Sequence, residues 1–389
     1  MDRISYIPCA IRSHIVSFLP IEDAIRTSVL SRQWRDVCSS LSTLTFNQFD
    51  FVTRGKHFKD FVYQTIAVHD GSDVKTFMLT VFDVMDSNVP HLHSWISFAV
   101  RHNVEDFSLI LFSGGLKLNP LPLRLFTCKT LTQLKLGKLD INVPNVVLFP
   151  MLKTLVLGPQ VHFYDENQTS RLISSSPVLE YLGFISCSWA NSSLLVISAP
   201  SLKFLYLNPS PPSQDVRICC SNLRQIMYAG NPPDISLETL SSLSRADFDS
   251  YSPALSSNRE ICDLHNHNAS RILMGLQNVV SLSLNCAAME VFNESSYMLN
   301  MEEYWQSNVV SSQSTLNQLR TVRIAGFGGS DYELDLVRYI LENANVMEKL
   351  IIDFSKIVKK DVARQTSIGK KLQQFKKASP CATISFASQ

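Results

Sequence analysis

Two histidine pairs, His91-Leu92-His93 and His265-Asn266-His267, each set two imidazoles two residues apart, a spacing that puts both on one side of an extended segment. A metal site would need further ligands, and no Cys/His grouping with metal spacing accompanies either pair, so both read as surface-loop histidines. Gly326-Phe327-Gly328-Gly329 has the glycine content of a phosphate-cradling loop but lacks its lysine and spacing, and reads as a turn after a strand. Asp83 and Asp86 offer carboxylates for acid/base work, yet nothing in their spacing sets them across a cleft. No Gly-x-Ser-x-Gly nucleophile elbow is present. The expectation is a non-catalytic chain with no cofactor and no metal.

The nine cysteines are scattered from Cys9 to Cys381, with one adjacent pair, Cys219-Cys220, and no Cys-x-x-Cys. An odd count without metal spacing reads as reduced, mostly buried thiols of a cytoplasmic or nuclear protein. Arg3, Arg12 and His14 interrupt the apolar N-terminus, so it does not read as a secretory leader. No stretch approaches the ~18 apolar residues of a membrane span. With 389 residues, 45% hydrophobic and 18% charged, the chain has apolar surface enough to fold. That length suggests two or three domains or one elongated repeat array. Thirty-five Lys and Arg against 34 Asp and Glu argue against a nucleic-acid binder.

What positions these residues is a repeat. The pattern apolar-x-x-apolar-x-apolar occurs at Val74-Phe77-Leu79, Val104-Phe107-Leu109, Leu131-Leu134-Leu136, Leu152-Leu155-Leu157 and Leu179-Leu182-Phe184. It continues at Leu202-Leu205-Leu207, Leu223-Ile226-Tyr228, Leu243-Ala246-Phe248, Val279-Leu282-Leu284, Leu319-Val322-Ile324 and Met347-Leu350-Ile352. Successive starts lie 20 to 40 residues apart, most of them near the period of leucine-rich repeats. Each unit supplies a short parallel strand whose apolar residues stack on the next unit, because one unit cannot bury its own face. Turn signals separate units at Asn208-Pro209-Ser210-Pro211-Pro212 and Asn231-Pro232-Pro233, and Ala269, Ile272, Leu273 and Leu276 sit at helical spacing on the convex side. Ala287 to Thr315 is an insertion beyond the period.

Residues 2–45 lack the repeat and read as three short helices. Ile7, Ile11, Ile15, Phe18 and Leu19 share a face of the first, which opens near Pro8 and stops at Pro20. Glu22 and Asp23 open the second, ahead of Ala24 and Ile25. Ser31 can cap the third, which carries Trp34, Val37 and Leu41. Forty-odd residues cannot bury that much apolar surface alone, so the head needs either the repeats or another chain.

These residues carry a resemblance. Asp2-Arg3-Ile4-Ser5, Ile7-Pro8, Ser17-Phe18-Leu19-Pro20, Asp23-Ala24 and Arg26 through Arg32 with Trp34-Arg35 closely resemble a plant-type F-box. The chain departs from it at Cys9-Ala10, where members commonly carry acidic residues. Leu319 through Ile324, Gly326-Phe327, Glu333-Leu334, Val337 through Ala344, Met347 through Leu350 and Ser379-Pro380-Cys381 resemble the FBD region that follows the repeats in many such proteins. The resemblance implies an α/β chain in three parts. These are a three-helix F-box over 1–45, a leucine-rich-repeat solenoid over 46–315 with an irregular or helical convex side, and a strand/helix FBD-type cap over 316–389. It also implies the substrate-recognition subunit of an SCF-type ubiquitin ligase, holding a Skp-type adaptor and, through it, a cullin. Carried onto this sequence, the adaptor-binding positions are Ile7, Pro8, Ile11, Ile15, Leu19, Val29, Leu30 and Trp34. The alternative is an F-box/LRR interaction protein acting without ubiquitination.

Between inward leucines, residues alternate to the open face of the strands. Tyr181, Phe204, Tyr206 and Met227 bring aromatic and Met side chains beside the charged Arg245, Asp247 and Asp249, the composition of a docking patch for a target protein. That face offers few cations (Lys135, Arg245, Arg323, Lys349), so no polyphosphate cofactor is expected. The lysine-rich end, with Lys356, Lys359, Lys360, Arg364, Lys370, Lys371, Lys376 and Lys377, reads as a solvated helix face rather than a membrane or nucleic-acid surface.

Overall fold

Each of the eleven repeat motifs ends in a strand, and every apolar residue in them is buried, none more than 9% exposed. The computed structural model describes residues 6–52, 58–82, 89–112, 121–164, 166–190, 194–209, 215–229, 240–249, 278–285 and 316–387. The chain divides into two compact units, Met1–Asn191 and Ser192–Gln389.

The first unit opens with helices α1 (Cys9–Ser17), α2 (Ile21–Arg26) and α3 (Arg32–Ser39). Parallel strands follow: β1 (Thr43–Asn47), β2 (Thr76–Phe82), β3 (Asp106–Phe112), β4 (Gln133–Gly137), β6 (Thr154–Leu157) and β8 (Tyr181–Trp189). Between them run α4 (Phe49–Val52), α5 (Phe58–Ala67), α6 (Val89–Arg101) and α7 (Glu166–Ser174). Two short strands, β5 (Leu139–Ile141) and β7 (Val161–Phe163), pair beside the end of β8 as a second layer that the repeat pattern does not announce.

Register explains the period. Phe77 pairs with Phe107, Phe107 with Leu134, Leu134 with Leu155 and Leu155 with Leu182, so one apolar column runs through the unit. The Phe77 and Phe107 rings stack in parallel with centroids 5.9 Å apart. Parallel strands tolerate this because identical positions in successive repeats meet in register. Burying each such side chain stabilises the fold by about 1.5–3 kcal/mol.

The second unit repeats the arrangement. Its strands are β10 (Phe204–Pro209), β12 (Gln225–Ala229), β13 (Arg245–Asp249), β14 (Ser281–Asn285), β15 (Thr321–Phe327), β16 (Lys349–Phe354) and β17 (Thr383–Phe386), parallel throughout. A separate parallel pair joins β9 (Leu194–Ser198) to β11 (Asp215–Cys219). Helices α8 (Asp331–Asn343) and α9 (Val362–Gln374) connect the last three strands of the main sheet. Leu334, Val337 and Leu341 are buried in α8, the stripe its sequence predicts. The convex helix expected around Ala269–Leu276 and the 287–315 insertion lie outside the described residues, as do Asp83, Asp86, His265 and His267.

A tight turn prefaces many strands. The amides of Leu152, Leu179, Leu202, Leu223, Leu243, Leu319 and Met347 each donate to the carbonyl three residues earlier. Pro150, Pro177 and Pro200 stand directly after that carbonyl, where their fixed φ suits the second turn position. The repeat thus begins three residues before its first leucine.

Two expectations change. The ladder starts inside the first forty-five residues: Leu41-x-x-Leu44-x-Phe46 matches the motif, all three are buried, and β1 pairs with β2. His91 and His93 lie on α6 rather than in an extended loop. His91 Nδ1 is 2.7 Å from the Tyr63 hydroxyl, and the apolar Leu92, Trp95 and Ile96 around the pair drive the helix onto the core.

Candidate protein-binding surface

The helical head holds itself together with few groups. Pro8 caps α1, its carbonyl accepting from the amides of Ile11 and Arg12. The inward side of α1 carries Val16 and, unexpectedly for a charge, Arg12, which is 8% exposed. Arg12 Nη1 donates to Gln33 Oε1 at 2.9 Å, tying α1 to α3. Ala24 supplies the inward side of α2, and its carbonyl accepts from the Thr27 hydroxyl at 2.7 Å and the Cys38 thiol at 3.0 Å. Burial pushes the Cys38 thiol above its ordinary value. Ser31 caps α3, its hydroxyl accepting from the Trp34 amide, and Trp34 and Val37 point inward.

The apolar side chains left over face out. Ile11, Ile15 and Phe18 follow one another at i, i+4 and i+7 along one face, and all three are exposed, Phe18 to 73%. Leu19 is exposed at the end of the helix; Val29, at 83%, and Leu30 are exposed in the 3-10 turn beyond α2. Tyr6 precedes the helix, also exposed. His14 meets the Phe18 ring edge-on at 4.7 Å. Singly exposed apolar residues are ordinary, whereas seven within twenty-five residues make a surface built to be covered.

Of the eight positions expected on this surface, Pro8, Ile11, Ile15, Leu19, Val29 and Leu30 are exposed, and Ile7 is half-buried. Trp34 is not on the surface: at 3% exposure it packs inside the head, so any effect on a partner passes through the helices it supports. Its indole nitrogen has no hydrogen-bond partner among the described residues. Tyr6 and Phe18 were missing from the expected set, although Phe18 already stood on the predicted apolar face.

The head, β1 and α4 line a cleft of about 630 Å3. Its lining includes Glu22, Asp23 and Asp50 together with the hydroxyls of Ser13, Ser40 and Thr43, and among the described residues it contains no lysine or arginine.

The second candidate patch falls on two units. Tyr181 belongs to β8 of the first, half-buried and packed beside Gly183. Phe204, Tyr206 and Met227 belong to the second, where Phe204 pairs with Gln225 and Tyr206 with Met227 on the face opposite the leucine ladder. All three are half-buried. Asp247, next in register to Met227, accepts from Gln225 Nε2 at 3.0 Å and from Arg245 Nε at 3.1 Å. A charged, hydrogen-bonded edge therefore adjoins the aromatic pair.

Of the glycine-rich stretch, Gly326 and Phe327 finish β15, and Gly328-Gly329 make the connection to α8. Gly328 and Ser330 turn their amides to the Glu333 carboxylate, at 2.9 and 2.7 Å, closing the loop on its own helix. Among the described residues no three His, Cys, Asp or Glu side chains converge as a metal site would require.

Comparison with known proteins assigns three regions. The F-box domain family matches residues 4–46, the family described as "FBD-associated F-box protein At5g56370, LRR repeats" matches 92–245, and the FBD family matches 312–352. Among Arabidopsis thaliana relatives, F-box/LRR-repeat protein At1g55660 is 34% identical over 54% of this chain and 59% of its own length. Putative F-box/FBD/LRR-repeat protein At4g00315 is 33% identical over 54% of this chain and 49% of its own. F-box protein At4g09920 is 30% identical over 54% of this chain and 67% of its own. The chain thus spans about half to two thirds of the length of these curated relatives.

Proposed function

The chain belongs to the F-box/LRR-repeat family, and from that membership we propose that it is the substrate-recognition subunit of an SCF-type ubiquitin ligase. In this reading the head binds a Skp-type adaptor, and through it a cullin, in the cytosol or nucleus. The repeats bind a target protein.

The observation that carries the reading is the open apolar face of the head. Ile7, Pro8, Ile11, Ile15, Leu19, Val29 and Leu30, joined by Tyr6 and Phe18, make the proposed adaptor contact, with Trp34 as its internal support. Docking would bury aliphatic and aromatic side chains that the isolated head leaves in water. The protein then contributes proximity rather than chemistry: holding a target near a ubiquitin-charged conjugating enzyme raises the effective concentration of its lysines. No side chain of this chain needs to touch the reacting atoms.

For target capture the proposed contacts are Phe204, Tyr206 and Met227 in the second unit, with Tyr181 on its own strand in the first. The proposed F-box, repeat and FBD-type divisions remain 1–45, 46–315 and 316–389, with one adjustment. A cut at 45 would run through β1, so the helical head is better taken to end at Ser40.

The test is reconstitution. The full chain mixed with purified Skp-type adaptor and cullin should elute as one complex, and proteins captured by its repeats should gain ubiquitin when the conjugating enzymes are added. A chain that elutes apart from the adaptor rejects the proposal, and Tyr206→Ala with unchanged target capture rejects the patch.

A further inference from the structure

Charge is unevenly spread along this chain. From Ser355 to the end it carries eight Lys and Arg against a single acid, Asp361, in a chain whose totals are 35 and 34. That one acid is occupied, since Asp361 caps α9 and accepts from the Arg364 amide at 2.9 Å. Lys359 pairs with Asp353 at 2.9 Å, Arg364 donates to the Gly328 carbonyl and Lys377 to the Ala382 carbonyl. Lys356, Lys360, Lys370, Lys371 and Lys376 have no ion-pair partner among the described residues, and all five are exposed.

Apolar side chains stand among them. Ile357 is 76% exposed and Val362 is 72% exposed, the two most exposed large aliphatic side chains among the described residues outside the head. Ile357 precedes the 3-10 turn ahead of α9 and Val362 opens α9, while Ile368 and Leu372 supply what that helix buries.

We propose that this C-terminal unit docks the protein on an anionic membrane surface, the lysines over lipid phosphates and Ile357 and Val362 entering the headgroup layer. This goes beyond the adaptor and target contacts and uses neither. These five cations are lysines, point charges suited to a diffuse anionic layer, and the segment's single guanidinium, Arg364, is turned to the Gly328 carbonyl. Exposed aliphatics rather than a row of exposed aromatics match hydrocarbon, not stacked bases. No helix among the described residues is long and apolar enough to cross a membrane, so the contact is peripheral.

Vesicle co-flotation of the full chain tests this. Wild type should float with phosphatidylcholine vesicles enriched in phosphatidylserine, stay behind with phosphatidylcholine alone, and be released by raised salt. Each lysine near an anionic surface is worth about fivefold in partition, so Lys370→Glu with Lys371→Glu should reduce flotation at least tenfold. Ile357→Ser with Val362→Ser leaves the charge unchanged and should still reduce it severalfold. These sites are on the surface, so melting temperature and adaptor capture should match wild type. Wild type failing to float, either double variant floating like wild type, or retention by single-stranded RNA but not by vesicles would overturn the proposal.

Discussion

Ile15 and Val16 are consecutive in α1, yet Ile15 is 38% exposed and Val16 only 1%. A step of one residue rotates the side chain by about 100° around a helix, so these two mark the boundary between the inside of the head and its outer face. The inward line through Val16 contains Arg12, while the line through Ile15 contains Ile11. The helix thus turns an arginine inward, held by Gln33, and keeps its better apolar line outside. Such an arrangement is poor for a free-standing domain and sensible for one whose surface is completed by a partner.

From this geometry Ile11→Asp should weaken capture of a Skp-type adaptor by about 100-fold or more, because docking would bury an unpaired carboxylate. The melting temperature should not change, since residue 11 faces solvent in the free chain. Val16→Asp should instead unfold the head. Titration calorimetry with purified adaptor, beside thermal melts of both variants, separates the two; full adaptor affinity in Ile11→Asp would show that another face is used.

The ladder was legible because the physical requirement is periodic: parallel units must meet with like residues in register, so leucines recur visibly. Its first unit was hidden because Leu41 stands at helical spacing from Trp34 and Val37 and reads as part of the third helix, whereas that helix ends at Ser39 and Leu41 belongs to the ladder. Trp34 entered the expected adaptor set through the F-box resemblance, although it shares the third helix with Val37; its neighbours Arg32, Gln33, Arg35 and Asp36 face water and leave the indole inside. His91 and His93 sit two apart, which fits a strand as readily as a helix; only Leu92, Trp95, Ile96 and Ala99 decide it. The paired β5 and β7 have three residues each, too few for alternation to register in sequence. The lysine-rich end was legible as charge, but exposed Ile357 and Val362 needed coordinates.

Asp106 opens β3 with its Oδ1 buried and without a hydrogen-bond partner among the described residues. Desolvation raises its carboxyl above the ordinary 3.8, partly offset by Lys135. A carboxyl whose folded pKa is raised opposes folding only when ionised. The penalty is therefore absent well below pH 3.8 and grows as the pH rises through and beyond that value to the raised one. Asp106→Asn should increase stability at neutral pH, by about 1 kcal/mol or less given its partial exposure, and leave acid stability unchanged. Urea unfolding at neutral and acidic pH measures both; a loss of stability at neutral pH would contradict the account.

The thiols are less sheltered than their count suggested. Among the described residues Cys128, Cys187 and Cys220 are buried, Cys38 is half-buried, and Cys9, Cys219 and Cys381 are exposed. Burial pushes the Cys187 thiol up to about 12, so it is neither accessible nor ionised at neutral pH. Brief alkylation of the native protein followed by mass mapping should label Cys9, Cys219 and Cys381 at least tenfold faster than Cys187. Cys9 also borders the proposed adaptor face, so prior complex formation should slow its labelling and leave Cys381 unaffected.

Glu333 does three jobs from a position only 7% exposed. Its carboxylate accepts from the amides of Gly328 and Ser330 and from the Ser330 hydroxyl, while its own amide donates back to that hydroxyl. The reciprocal pair caps α8 and pins the turn between β15 and the helix. Gly329 takes φ +75° in that turn, and a Cβ there would lie 2.3 Å from Ile368 Cδ1, so α9 packs directly on it. Losing the carboxylate strands two amides at once, which puts Glu333→Ala at about 2–3 kcal/mol, against about 1 kcal/mol for Ser330→Ala. Glu333→Gln keeps one acceptor oxygen and should fall between them. Because the turn seats α9, Glu333→Ala should also raise hydrogen exchange at Ile368 and Leu372 while the amides of α1 stay as protected as in wild type. Equal loosening at both ends would mean that the turn stabilises the chain as a whole, not the unit that it caps.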